Sequence, residues 1–283
     1  MRFAACHTTR FRYSGPVFLE PHVLRLRPRC DGSQRLLAYR LAVTPQPELL
    51  SHALDAEGNV IAHAWFSGST EALAITSEFE IETLRANPFD YLLLGRGAGG
   101  LPVEYPATLR DRLAPSLARP DGADPAVDRF ISPVIARSER RTLPFLSGLS
   151  QAIHEACAVT VREHGEPFPP AQTLAAEQAA CRDLAVLFVD CCRAVGIAAR
   201  FVSGYLEQGP DSRFMHAWAE AYLPGGGWRG YDPTQGLAVG HRHVAVAAAT
   251  LPSDASPIRG SFRGEAVAAP LEAAIRICES GGT

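Results

Sequence analysis

The chain has 283 residues, 47% of them apolar and 20% charged, with a formal net charge of −3. That length is enough for a sizeable core and for two domains, and a small negative charge offers no basic face to nucleic acid. Arg, His or Thr breaks every apolar stretch among the first twenty residues, and no run elsewhere approaches the ~18 apolar residues that a membrane helix needs. The expectation is a soluble, cytoplasmic protein without a nucleic-acid or membrane partner. Its seven cysteines are odd in number and scattered apart from the Cys191-Cys192 pair. They read as reduced thiols, mostly small buried residues, and not as a disulfide framework.

Residues 1–86 hold short β-prone runs at 22–27, 36–43, 60–66 and 73–81, separated by turn residues. They predict a small antiparallel β domain. The 55–59 stretch, Asp-Ala-Glu-Gly-Asn, reads as a hairpin loop with Gly58 or Asn59 available for positive φ. Between 87 and 144 Pro and Gly recur without a clear period, as in a linker or docking segment. The GRGAGG stretch at 95–100 lacks a leading strand and the Gly-Lys-Ser/Thr ending of a phosphate loop, and reads as plain loop.

From 145 to 283 the pattern predicts helices followed by an antiparallel sheet. A helix is expected over 146–162 and a second one from about Cys181, where Leu184, Leu187, Phe188, Cys191 and Val195 recur at three- and four-residue steps and Gly196 supplies a stop. The period then becomes two, predicting strands at 197–206, 215–223 and 228–232, with Pro-Gly-Gly-Gly at 224–227 as the turn. The tail beyond Gly236 is rich in Ala, Pro and Gly and predicts little.

A nucleophilic cysteine works as its thiolate, which a helix N-terminus and a neighbouring imidazolium both favour. Cys181 stands at such a terminus, whereas Cys191 and Cys192 sit at the far end of the same helix and read as core. The thiolate needs a base, and the base an orienting acceptor. Pairing Tyr222 with Trp228 would set Asp232 opposite Trp218 and diagonal to His216 on one sheet face, about 7–8 Å away at Cα. A slip of one residue would part them. On spacing alone, His216 serves equally as a structural histidine, and Asp232 before Pro233 as a turn initiator. A metal site built on His241 and His243, or on His154 and Cys157, has too few ligands in view.

Three blocks in order, CRDLAVLFVDCCRAVGIAARFVSGYL from Cys181, MHAWAEAYLPGGGW from Met215 and YDPT from Tyr231, resemble the core of the transglutaminase-like superfamily with its papain-like cysteine fold. HTTRFRY at 7–13, LRLRP at 24–28 and DAEGN at 55–59 resemble the β domain that precedes this core in bacterial transglutaminase-like proteins. Ala179 and Leu184 depart from the family's usual Gly before the cysteine and aromatic after it. The resemblance implies an α+β fold in which an N-terminal antiparallel β domain precedes a transglutaminase-like catalytic domain. It implies Cys181, His216 and Asp232 as nucleophile, acid–base and orienting carboxylate, with no cofactor and no metal. The substrate is then an amide of a peptide or protein, attacked to form a thioester that passes to water or to an amine; hydrolysis is favoured over cross-linking. The Cys181 backbone N–H is the first oxyanion donor and Gln178 a candidate second. Trp218 screens the site, lines an acyl groove or, the reading favoured, packs in the core, and Arg200 and Glu220 form a structural pair. A different class, a binding protein with a vestigial triad, stays open.

Overall fold

The computed structural model describes residues 1–280 except 96, 121, 163–164 and 210–213. The N-terminal part contains β1 (Arg2–Leu19), β2 (His22–Leu24), β3 (Gln34–Thr44), β4 (Leu49–Leu54), β5 (Val60–Trp65) and β6 (Ser69–Thr83). Helices α1 (Ala107–Leu117), α2 (Pro125–Arg137) and α3 (Thr142–Ala156) follow, then β7 (Ala158–Val159), α4 (Pro170–Ala175), β8 (Gln178–Ala179) and α5 (Cys181–Ala194). The second sheet region comprises β9 (Ala199–Leu206), β10 (His216–Leu223), β11 (Gly227–Asp232), β12 (Leu237–Ala238) and β13 (His243–Ala249). After a 3₁₀ turn at Pro252–Ala255 come β14 (Ile258–Arg259), β15 (Phe262–Arg263) and β16 (Leu271–Glu279). No helix among the described residues is long and apolar enough to cross a membrane.

The fold class is α+β, as expected. The long strands β1 and β6 alternate buried and exposed residues along most of their length and pair antiparallel from Arg2–Glu82 to Phe18–Ser69. One end of their inner face packs on the small sheet β14-β2-β5-β4, burying Leu24, Leu26, Ala64, Leu73 and Ile75. The other end packs on the second sheet, where Phe3, Phe79 and Ile81 meet Tyr205, Val244 and Val246. The C-terminal tail returns to this unit: β16 runs beside β1 from Phe3–Glu279 to Phe11–Leu271. The 87–144 segment carries α1, α2 and the first turn of α3. Val127, Ile131 and Val134 of α2 share a core with Leu184, Leu187 and Phe188 of α5. Pro125 stands at the first turn of α2, where a proline's missing N–H loses nothing.

The second sheet runs in the order β12-β11-β10-β9-β13. Its pairings include Tyr222↔Trp228 and Glu220↔Arg200. Arg200 bonds Glu220 at 2.8 Å and lies over the Trp228 ring, as a structural pair should. β13 is the sheet's edge strand, and every one of its residues is buried. Its free main-chain groups are met by amide side chains from the N-terminal part. Ala245 N–H donates to Gln34 Oε1 at 2.8 Å while Gln34 Nε2 donates to Ala245 O at 2.7 Å. Ala248 N–H donates to Asn59 Oδ1 and Asn59 Nδ2 to Ala248 O, both at 2.9 Å. Asn59 is itself held by the β4–β5 hairpin loop: Asp55 accepts from its backbone and side chain, and Gly58 takes the positive φ of 78°.

Three of the seven cysteines, Cys157, Cys191 and Cys192, are buried, fewer than the sequence suggests. Cys278 sits on the outward face of β16 and Cys30 in the loop before β3, so both are exposed, and Cys6 and Cys181 lie between.

Replacing Asn59 by Ala leaves a buried N–H and C=O of Ala248 without partners. The expected loss is on the order of 2 kcal/mol or more of unfolding free energy, measured by urea denaturation, with Asn59→Asp restoring no more than the acceptor half.

Candidate active site

Cys181 is the first residue of α5, as its sequence position predicts, and it is half-buried. The helix start is fixed by Asp183, a fully buried carboxylate in the first turn. One of its oxygens accepts the Ala180 N–H at 2.8 Å, and the other accepts the Phe168 N–H at 2.8 Å and the Arg162 guanidinium. Ala180 has no side-chain acceptor, so Asp183 alone supplies the cap's side-chain contact. At the other end Gly196 takes a φ of 77°, and a Cβ there would meet Pro102 Cβ at 2.7 Å, so glycine is required. Cys191 and Cys192 face the core, where burial raises both thiols well above the usual range.

The expected register holds, and it brings the acid–base pair together. His216 opens β10 and Asp232 closes β11, and Nε2 of the imidazole lies 2.7 Å from Asp232 Oδ2. Cys181 is among the groups that raise the same ring, and with Nε2 committed to Asp232 the nitrogen left on its side is Nδ1. His216 is 11% exposed at its side chain and Asp232 is 0%. Burial works against the charged imidazole, but the adjoining carboxylate outweighs it and pushes His216 up to about 10. Burial likewise opposes the Asp232 charge, and the donors around it, His216 first, hold its carboxyl well below the usual range. At neutral pH the pair is therefore imidazolium and carboxylate.

The two oxygens of Asp232 have separate partners. Its Oδ1 accepts the Thr234 N–H at 2.9 Å, the bond that forms the Asp-Pro turn, while Oδ2 faces the imidazole. Helix α3 buttresses the turn: Ser150 Oγ donates to Asp232 O at 3.1 Å and His154 Nδ1 meets Thr234 O at 2.9 Å. His154 and Cys157 thus have separate structural tasks, Cys157 Sγ donating to Thr173 O.

Trp218 is 1% exposed. It lies beneath the site, its ring centroid 6.1 Å from that of His216 and 5.2 Å from that of His243, and it screens both from the core side. It has no surface to offer an acyl groove. Its indole crosses Gly204 of β9, where an added Cβ would come within 2.6 Å of the ring and 2.2 Å of Val244 O. Gly204 pairs with both His216 and Ala245, so an absent side chain there lets the two outer strands communicate across β9. Gln178 is exposed on β8, three residues before the nucleophile. The Cys181 N–H, first of α5, has no acceptor within the helix.

One further residue belongs to the site. His243 opens β13, is 4% exposed at its side chain, and places Nε2 3.0 Å from the same Asp232 Oδ2. The HRH spacing at 241–243 drew attention to it, but as one half of a pair with His241, which lies in the turn before the strand. Ligand atoms of His216, Asp232 and His243 all fall within 4.8 Å of one another, a separation compatible with a metal ion. The hydrogen bonds already account for each short contact, and His243 Nδ1 has none of the outer partners that ligating histidines normally use.

Comparisons with known proteins agree on the family. Residues 3–82 match the bacterial transglutaminase-like N-terminal region, and residues 135–233 match the transglutaminase-like superfamily. Uncharacterized proteins of Mycobacterium bovis and Mycobacterium tuberculosis are 29% identical over 276 residues, which span 92% of this chain and 87% of theirs. An uncharacterized protein of Mycobacterium leprae is 23% identical over 292 residues, covering 93% of this chain and 94% of its own. The crystal structure of a candidate cysteine protease from Cytophaga hutchinsonii superposes with a TM-score of 0.71 at 18% identity, over 100% of this chain and 92% of that one. At that identity it speaks for the fold.

Because His216 is raised from its ordinary value of 6.5 to about 10, the folded chain binds more protons than the unfolded chain between those values. The stability His216 adds is then complete below about pH 6.5 and is lost as pH rises toward 10. Denaturation curves of wild type and His216→Gln are expected to differ most near pH 6 and to converge toward pH 10.

Proposed function

We propose, from the premise that the chain belongs to the transglutaminase-like superfamily and joins its core to a bacterial transglutaminase-like N-terminal region, that it is a cysteine-dependent amide hydrolase working through a thioester. The observation that carries this reading is the Cys181–His216–Asp232 series, with the thiol at a helix N-terminus and a 2.7 Å imidazole–carboxylate bond behind it.

The chemistry follows from the arrangement. Cys181 Sγ, as thiolate, adds to the amide carbonyl carbon, and the electron pair moves to the oxygen, which the Cys181 N–H at the start of α5 receives. Collapse breaks the C–N bond as His216 Nδ1–H protonates the departing amine, leaving an acyl thioester and a neutral imidazole. That imidazole takes a proton from water, whose oxygen attacks the thioester; the acid leaves and the thiolate–imidazolium pair returns. Asp232 keeps the imidazole in the tautomer and orientation these transfers need. An amine acceptor would complete the same cycle as a transamidation. Hydrolysis is favoured here because water is always present at a half-exposed thiol, and the fold neighbour from Cytophaga hutchinsonii also bears a candidate protease name. The substrate is a peptide or protein amide, and the reading needs no cofactor.

The test is iodoacetamide labelling at Cys181, located by peptide mass spectrometry across pH. Labelling is expected to be fast at neutral pH and to slow by about tenfold or more there in His216→Ala, since an unperturbed thiol ionises only near pH 8.5. Labelling of Cys181 at the rate of exposed Cys30 in both proteins would favour a binding protein with a vestigial site. Release of amines from a casein digest by wild type but not by Cys181→Ala, without incorporation of a labelled primary amine, would separate hydrolysis from transfer.

A further inference from the structure

His243 has no place in the three-residue scheme, yet it meets Asp232 at the same oxygen as His216 does. An ionised carboxylate only accepts, so both Nε2 atoms must donate. Nδ1 of His243 is buried with no hydrogen-bond partner. A proton there would be an orphaned N–H in the interior and would make a second cationic ring, its centroid 6.2 Å from that of His216. The arrangement is therefore self-consistent when His243 carries one proton, on Nε2, and a lone pair on Nδ1. It then gives Asp232 a hydrogen bond and no charge.

We propose that His243 is a positioning residue of the active site, a neutral donor that shares Asp232 Oδ2 with His216 and so limits how tightly the carboxylate holds the His216 proton. The groups facing His216 among the described residues are Asp232 from β11, Cys181 from α5 and the His243 ring from β13; those facing the Asp232 carboxylate are His216, His243 and the Thr234 N–H. His243 is the one member of this set that offers a side-chain donor without bringing a countercharge. A base that must release its proton to a departing amine works best when that proton is not held too firmly. The His216–Asp232 pair, enclosed and unshared, would hold it more firmly still.

The position of His243 is not left to β13 alone. The strand's outer edge is held at Ala245 and Ala248 by Gln34 and Asn59, and Trp218 packs edge-on against the His243 ring. The N-terminal β region thus reaches the site through two amide side chains, one strand and one imidazole. That chain of contacts gives the region a task in the chemistry.

The inference rests on the acyl-transfer reading for its consequence but not for its test, which follows the His216 ring by ¹⁵N-detected NMR titration in the full chain. In His243→Leu the His216 midpoint is expected to rise by on the order of one unit, the size of one lost hydrogen bond to a charged acceptor. Glutamine reaches as far as Nε2 and keeps a neutral donor, so His243→Gln is expected to restore the wild-type midpoint, whereas the shorter His243→Asn is not. Iodoacetamide labelling of Cys181 at neutral pH should stay within a few-fold of wild type in all three, because the thiolate's countercharge is retained. An unmoved or lowered midpoint in folded His243→Leu overturns the proposal, as does a glutamine variant that behaves like the asparagine one; should the leucine variant fail to fold, the Gln–Asn contrast decides alone. If wild-type Cys181 labels as an ordinary thiol, the acyl-transfer reading fails while the titration still tests the His243 bond.

Discussion

Everything in the second half of the molecule is arranged around one buried carboxylate. Asp232 is 0% exposed, and an isolated carboxylate at such depth would protonate or unfold the region around it. It stays ionised because three donors converge on it from three directions: the Thr234 N–H from its own turn, His216 from β10 and His243 from β13. Each donor fixes a piece of the fold. The Thr234 bond sets the turn that α3 buttresses through Ser150 and His154. The His216 bond requires the β10–β11 register to be correct to the residue, since a slip of one would turn His216 to the opposite face. The His243 bond requires β13 to be in place, although β9 and β10 lie between it and β11.

That last requirement ties the β13 edge to the β region that precedes it in sequence. β13 is an edge strand, and an edge whose outward N–H and C=O groups are buried must have them satisfied. Gln34 and Asn59 do this as substitutes for a further strand, each offering a donor and an acceptor to one residue of β13. A neighbouring pair of bonds from Thr250 to Glu57 extends the same seam. The apolar contact of Phe3, Phe79 and Ile81 with Tyr205, Val244 and Val246 supplies the area, and His7 adds a hydrogen bond to Tyr205 at 2.8 Å. Burial pushes His7 down to about 4, so that ring is neutral at pH 7.

What was legible beforehand follows the range of the interactions involved. The α5 limits, the β10–β11 hairpin and the Asp55–Asn59 loop are set by residues within a few positions of one another, by helical spacing, by a Pro-Gly-Gly-Gly turn and by an Asp-Gly-Asn hairpin, and all three form as their sequences indicate. β13 was not legible. Buried on both faces, HVAVAAA has neither alternation nor helical period, and its alanines carry no strand preference of their own. The return of β16 to β1 depends on a pairing between residues more than 250 positions apart, which no local pattern encodes. In the 87–144 stretch the prolines look like breaks, whereas Pro125 begins α2, Pro133 lies inside that same helix and Pro115 lies inside α1. His243 escaped for a related reason: its neighbour in sequence, His241, is not its partner, and the true partner comes from three strands away.

The burial of the site is graded, and the gradient bears on which reaction is favoured. Cys181 is half-buried, His216 is 11% exposed at its side chain, and Asp232 and His243 are 0% and 4% exposed. On the proposed reading, the atom that meets substrate is within reach of water, while the imidazole–carboxylate pair behind it lies where water does not screen it. In the proposed reaction the deeper three residues act identically whether the thioester passes to water or to an amine, because both outcomes share the same acyl intermediate and the same base. Selection between acceptors therefore belongs to the half-exposed rim around Cys181, and not to the His–Asp–His relay beneath it. Changes at the rim can redirect the acyl group while leaving the proton chemistry intact, whereas changes at Asp232 or its donors alter every acceptor alike. The family core can then be kept unchanged below the surface while chemistry diverges above it.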